Sequence, residues 1–323
     1  MEIAEPIKVY ILTGFLGAGK TTILNSLLSQ FPGHKNIVIE NEFGKVNIDA
    51  GLITEKIDQL YELTSGCICC SLDNDLLEVL GNILQNTDRP DQVFIETTGI
   101  ADVGNIIGMF HMPEVQRHYQ LVSTLCVADA ENIFERLQQL PETGKQLSCA
   151  DIIIINKIKH LTLPELVYLS QQLEQMNPLA FITTTEDGHV PLHTLQFSEK
   201  PLVPVSTASP VKHPHKVNTV LFESPDAFNL NMLVFVLDFH FNAYPDQLYR
   251  IKGYIRVKDT EEKMLVQSTG KYLHIQPAGS WGGQQPASTL VFIGKELKSA
   301  TIQRILAPAI RKAQEKVERD RIR

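Results

Sequence analysis

Two stretches of this chain combine residue types that folding alone does not call for. Gly14-Phe15-Leu16-Gly17-Ala18-Gly19-Lys20-Thr21 follows the pattern Gly, four residues, Gly-Lys-Thr. It comes after a β-branched and aromatic run, Lys8 to Leu12, and it opens a stretch in which Ile23, Leu24, Leu27 and Leu28 repeat at helical spacing. A glycine-rich turn between strand and helix lets backbone N–H groups curl around phosphate oxygens, and the helix N-terminus adds positive potential. In that setting Lys20 reaches the β and γ phosphates and the Thr21 hydroxyl ligates Mg²⁺.

The second stretch is Gly66-Cys67-Ile68-Cys69-Cys70, three thiols on one tight turn. Thiolates select soft or borderline metals, and three of them leave a fourth tetrahedral position for water, a nearby side chain or an incoming partner. An incomplete shell suits transfer better than permanent structure. Two plainer readings stand beside it: inert buried cysteines, and a redox pair at Cys69 and Cys70, whose vicinal disulfide would be strained. Glu40 and Glu42, in Ile39-Glu40-Asn41-Glu42-Phe43-Gly44, point to the same side while the chain stays extended. Either carboxylate can complete a metal shell or position water, and a plain solvated loop is the alternative for each.

Other candidates sit where strands should end. Val93-Phe94-Ile95 delivers Glu96, followed by Thr97-Thr98-Gly99, and ligands in open α/β sheets bind at the carboxyl ends of strands. A carboxylate there can hold Mg²⁺ through water or orient an attacking water, and the Gly99 N–H can sense a γ phosphate. Asn156-Lys157 follows the run Ile152 to Ile155 in the same way. A guanine-reading loop would continue Asn-Lys-x-Asp, the carboxylate accepting from the guanine N1 and N2 donors, but the fourth residue is Lys159. An ammonium has no acceptor, so base choice is left open at that position.

The elements that must position these residues read as alternating strands and helices. Strands are expected at Lys8 to Leu12, Asn36 to Ile39, Val93 to Ile95, Leu121 to Ala128, Ile152 to Ile155 and Phe181 to Thr183. A helix with Leu166, Leu169, Leu173 and Met176 should stop at Asn177-Pro178. Such alternation means a mostly parallel sheet covered on both faces. The pattern dissolves between Phe197 and Lys216, where Pro201, Pro204, Pro210 and Pro214 mark an extended connector. Beyond it come a strand near Val220 to Phe222, a helix near Leu230 to Leu237, four strands near Tyr254 to Val257, Met264 to Gln267, Tyr272 to Ile275 and Leu290 to Ile293, and a terminal helix with a basic end. Strands following strands imply a smaller α+β domain. The expected division is 1–196, 197–216 and 217–323.

Length agrees, since 323 residues make about two domains of roughly 150. Hydrophobic residues are 43% and charged residues 20%, ordinary for a folded chain. A net charge of −8 provides no field to attract a nucleic-acid backbone, so nucleic acid is not an expected partner. No apolar run is long enough for a bilayer and no leader pattern opens the chain, so a cytoplasmic protein with no membrane partner is expected. Five cysteines, three of them within four positions, fit a reducing compartment better than a disulfide framework. His213-Pro214-His215 could serve as an auxiliary metal handle but reads more simply as exposed polar sequence, and His111, His118, His189 and His193 carry no spacing argument.

Taken in order, Thr13-Gly14-Phe15-Leu16-Gly17-Ala18-Gly19-Lys20-Thr21-Thr22, Glu40-Asn41-Glu42-Phe43-Gly44, Gly66-Cys67-Ile68-Cys69-Cys70 and Glu96-Thr97-Thr98-Gly99-Ile100-Ala101-Asp102 resemble the CobW-type P-loop GTPases, zinc-regulated metallochaperones. Arg250-Ile251-Lys252-Gly253, Trp281 and Val291-Phe292-Ile293-Gly294 resemble that family's C-terminal domain. The resemblance implies a metal-binding GTPase related to the nickel-insertion GTPases of urease and hydrogenase. It implies Cys67, Cys69 and Cys70 as metal ligands and Gly17 to Thr22 around the phosphates and Mg²⁺, and the residues read above add Glu40 as a candidate fourth ligand and Gly14 to the phosphate loop. Gly99 would lie at the γ phosphate, Asn156 and Lys157 at the base, and Lys20, Glu42 and Glu96 would form the catalytic set. Zinc is the expected metal, with cobalt or iron left open by thiolate chemistry. GTP and GDP, a transition metal ion and a client metalloprotein are the expected partners, and self-association is left open. Two departures stand out: Lys159 replaces the guanine-reading Asp, and no long histidine tract fills the connector. The rival expectations are a nonselective or ATP-preferring P-loop NTPase with structural cysteines, and a zinc buffer or sensor with negligible turnover.

Overall fold

The β-branched runs of the first half of the chain pair side by side in a single sheet. The computed structural model describes residues 5–42, 59–64, 72–86, 88–99, 102–196 and 216–321, and these divide into two compact units. In the first, β1 (Ile7–Gly14), β2 (Asn36–Glu42), β3 (Gln59–Thr64), β4 (Gln92–Glu96), β5 (Tyr119–Asp129), β6 (Ile152–Asn156) and β7 (Phe181–Thr184) lie in the order β3-β2-β4-β1-β5-β6-β7. Every pairing is parallel.

All of the strand ends that matter chemically therefore reach one edge of the sheet. Alternate residues of β1 feed two separate cores: Val9 and Ile11 pack with Ile37, Ile39, Val93 and Ile95, whereas Tyr10 and Leu12 pack with Val38, Phe94, Leu125 and Ile154. Two buried faces on one strand explain why these runs are continuously apolar rather than alternating. Each fully buried aliphatic side chain contributes about 1.5–3 kcal/mol relative to exposure.

The helices of this unit are α1 (Lys20–Ser29), α2 (Leu72–Gln85), α3 (Val103–Met109), α4 (Pro113–Gln116), α5 (Ile133–Gln139), α6 (Pro141–Cys149) and α7 (Leu163–Met176). Burial of Ile23, Leu24, Leu27 and Leu28 fixes α1 against the sheet. The Asp102 side chain caps α3 by accepting from the Gly104 N–H at 3.0 Å. For α7, the Thr162 N–H and hydroxyl both donate to Glu165, at 2.8 and 2.7 Å, a capping arrangement legible in the Thr-x-x-Glu spacing. One strand escapes the sequence reading. β3 is the first strand of the sheet order, and its residues Gln59-Leu60-Tyr61-Glu62-Leu63-Thr64 intersperse polar with apolar types instead of forming an apolar run, as suits a strand with a single partner.

In the second unit, β8 (Val217–Ser224), α8 (Leu230–Ala243), β9 (Leu248–Arg256), β10 (Lys263–Thr269), β11 (Tyr272–Pro277), β12 (Ser288–Lys295) and α9 (Ser299–Arg321) follow in chain order. The sheet order is β11-β10-β9-β12-β8, antiparallel throughout. Phe228, Leu233, Leu237, Ile251, Ile255, Val266, Leu290, Phe292 and Leu306 form its core. The architecture is thus a parallel α/β P-loop unit with a separate α+β unit. The connector expected at 197–216, with His213 and His215, lies outside the described residues except for Lys216.

Candidate nucleotide and metal site

The loop from Gly14 to Lys20 joins the C-terminal end of β1 to the start of α1. Within it the Ala18 N–H donates to the Phe15 carbonyl at 3.1 Å, and the Lys20 ammonium donates to that same carbonyl at 3.4 Å. Gly17 and Gly19 have φ of 77° and 98°, a left-handed region that strongly favours glycine. At Gly19 space is as tight as the dihedral, because a Cβ there would land on the Asn156 amide. The same amide is engaged with the loop, since Asn156 Nδ2 donates to the Ala18 carbonyl at 2.9 Å and so ties the end of β6 to it. Gly99 approaches the loop from the other side, since a Cβ on it would meet the Leu16 backbone nitrogen.

Thr21, in the first turn of α1, donates its hydroxyl to the Glu96 carboxylate, 3.1 Å from Oε1 and 3.4 Å from Oε2. Glu96 is the last residue of β4 and is buried. Glu40 on β2 stands in register with it and is also buried. The Thr21 hydroxyl and the Glu96 carboxylate form a hard oxygen donor pair that fits Mg²⁺, and Lys20, the residue before Thr21, is buried. Thr22 is exposed and lies against Gly188, in the loop after β7.

Lys157 sits at φ 62° and its ammonium meets Asp129, the last residue of β5, at 2.9 Å. Burial opposes ionisation of Asp129, but hydrogen bonds from Asn132, Lys157 and the Glu131 N–H, with the Lys157 charge, outweigh it and hold the carboxyl below its ordinary value. Lys159 and His160 are exposed.

Of the residues singled out from the sequence, Lys20, Thr21, Glu96, Ala18, Gly19, Gly99 and Asn156 are brought together directly, and Gly14, where β1 ends, packs against the Val127 backbone. Lys157 is turned toward Asp129 rather than toward the loop. Cys67, Cys69 and Cys70 lie outside the described residues, and Glu42 is described only as the last residue of β2. Among the described residues no group of three or more His, Cys, Asp or Glu is placed to hold a metal ion.

Three residues around the loop were not legible. Asp129 lies one position past the apolar run of β5. Gln146 is fully buried on α6 and donates to the Gly99 carbonyl at 3.1 Å. Arg136 on α5 lies over the Phe15 ring at 4.3 Å. None of the three belongs to a motif. Only the polar character of Gln146 at a core position was available, and it points to no particular partner.

Comparison with known proteins adds what geometry alone does not. Residues 8–184 match the family model described as CobW/HypB/UreG, nucleotide-binding domain, and residues 217–310 match the cobalamin synthesis protein cobW C-terminal domain. The chain is 32% identical to zinc chaperone YjiA of Escherichia coli over 94% of its own length and 98% of that protein's. It is 26% identical to zinc chaperone CobW of Pseudomonas aeruginosa, covering 96% and 93%. Over 58% of the chain and 47% of the relative, it is 34% identical to zinc-regulated GTPase metalloprotein activator 1 of Schizosaccharomyces pombe. The crystal structure of Zn(II)-bound YjiA GTPase from E. coli superposes with a TM-score of 0.72 at 26% identity, covering 94% of this chain and 99% of that one.

Proposed function

Because the chain belongs to the CobW/HypB/UreG family and carries the cobW C-terminal domain, we propose that it is a GTP hydrolase acting as a metallochaperone, which couples GTP binding and hydrolysis to delivery of zinc to a client metalloprotein. The observation that carries this reading is a shared sheet edge. β3 ends at Thr64 in register with Glu42 of β2, and β2 lies beside β4, whose Glu96 meets Thr21. Cys67 follows Thr64 by three residues in the sequence. The strand that precedes the cysteine motif in sequence and the strands that carry Glu96 and the phosphate loop thus end at one edge of the sheet, which supports that reading.

Lys20 and the N-terminus of α1 hold the phosphates, and Asn156 fixes the loop through Ala18. Thr21 and Glu96 are the residues that would hold Mg²⁺; when bound, that ion neutralises charge on the β- and γ-phosphate oxygens. Glu96, already a hydrogen-bond acceptor, orients the attacking water, and the Gly99 N–H faces the γ phosphate. Cys67, Cys69 and Cys70 receive the zinc cargo, with Glu40 or Glu42 available to complete its shell. Losing the γ phosphate changes what Gly99 and Glu96 contact, which is how hydrolysis gives transfer a direction. GTP as the substrate is supported by the relatives named GTPases. One residue, Lys159, favours a less base-selective NTPase, because it provides no acceptor for guanine.

The test is zinc binding by chelator competition with and without a nonhydrolysable GTP analogue. Affinity should differ between the two states by about 1–3 kcal/mol of coupling, and zinc should shift nucleotide affinity by the same factor. Cys69→Ala should lose tight zinc binding and keep GTP binding, and Lys20→Ala should lose phosphate release. Equal zinc stoichiometry and affinity in Cys69→Ala would refute the ligand assignment, and equal affinity for GTP and ATP would establish the less selective reading.

A further inference from the structure

In the second unit, α8 buries Leu233, Leu237, His240 and Phe241, yet its exposed side carries Val234, Phe235 and Phe239 among the polar Asn231, Asp238 and Asn242. Phe235 and Phe239 stand one helical turn apart, each 64% exposed, and Tyr244 just beyond the helix is 56% exposed. Opposite them α9 presents Thr301, Arg304, Ile305 and Pro308, and the two helices enclose a groove of about 440 Å³. Singly scattered apolar residues are normal on a surface, but aromatic side chains clustered along a concave wall mark an interaction site.

Two further observations say what fits there. His240, on the groove wall, is 6% exposed; its ring hydrogen-bonds the Gln247 side chain, and its Nε2 has no hydrogen-bond partner among the described residues. A buried polar atom left without a partner is costly, and a group entering the groove can satisfy it. The charged residue on the α9 wall of the groove is Arg304, one turn from Thr301 and Pro308. Arg304 has no ion-pair partner among the described residues.

We propose that this groove docks an amphipathic helical segment of a partner protein, with bulky apolar side chains between Phe235, Phe239 and Pro308 and a carboxylate facing Arg304. A second copy of the chain is a poor occupant, because opposing two such faces sets α9 cations against one another. A flat lipid surface would leave the concavity and His240 unfilled. No residue of the nucleotide site lines this groove.

The test uses the full chain and two labelled peptides of about 18 residues, five helical turns. Both carry the same Leu/Phe stripe, flanked by Glu in one and by Lys in the other. The Glu peptide should bind, less tightly as salt rises, and Arg304→Glu should weaken it at least about tenfold and shift preference toward the Lys peptide. Phe239→Ser should weaken binding about tenfold while melting and GTP hydrolysis stay unchanged. Absence of binding by both peptides up to about 1 mM, equal binding of both, or indifference to Arg304→Glu would overturn the proposal. So would a dimer in sedimentation that Phe239→Ser dissolves, or capture by anionic phospholipid vesicles with no peptide preference.

Discussion

Cys126 and Cys149 are 2% and 3% exposed, and burial decides their chemistry. It pushes the Cys126 thiol up to about 12, with the nearby Lys20 charge pulling the other way and Cys149 adding to the rise. Thiols react as thiolates, so Cys126 is inert at neutral pH. Of the five cysteines, fast alkylation of the native protein should therefore reach only Cys67, Cys69 and Cys70, and excess zinc should slow it. Peptide mapping by mass spectrometry after a brief pulse of iodoacetamide checks this, and early labelling of Cys126 or Cys149 would contradict it. Spacing made the cluster legible in the sequence. It said nothing about the other two, whose inertness comes from cores assembled around them.

The geometry of the phosphate loop is settled where elements meet. β6 is five residues buried along its whole length, and its Ile152 to Ile155 run was legible as a strand because a parallel sheet with two covered faces demands continuous apolar sequence. What the run does not announce is that its last residue holds another element's carbonyl. Asn156→Ala should leave the Ala18 carbonyl without that donor, a loss of about 1–3 kcal/mol, and weaken GTP binding about tenfold while circular dichroism stays native. Titration with a fluorescent GTP analogue measures it, and unchanged affinity would show that the loop keeps its shape without Asn156. Helix α8 teaches the opposite lesson. Its apolar pattern is expected to end near Leu237, yet the helix continues to Ala243 with His240 and Phe241 buried. Asp238, His240 and Asn242 interrupt the sequence pattern, and packing of the last turn overrides them.

At the scale of the molecule, two sheets with separate cores divide the stability between two units. A ligand that binds only the folded P-loop unit stabilises it by mass action, about 2.7 kcal/mol at a hundred times its Kd. Calorimetry should therefore show a melting transition raised by roughly 5 °C or more on adding Mg·GTP, and no such rise for Lys20→Ala. A transition that ignores nucleotide would remove the P-loop from the binding site. No helix among the described residues is long and apolar enough to cross a membrane.

By itself the sequence determined the local chemistry: a glycine loop ending in Lys20 and Thr21, apolar runs that become parallel strands, and three thiols in four positions. These follow from backbone freedom, period and spacing, which act over a few residues. Only the tertiary structure decided that Thr21 meets Glu96, 75 residues away, that Ala18 is held by Asn156, 138 residues away, and that Gln146 reaches Gly99. Those contacts depend on strand order and on how helices seat against the sheet. Long-range packing sets both, and no local pattern in the chain encodes them.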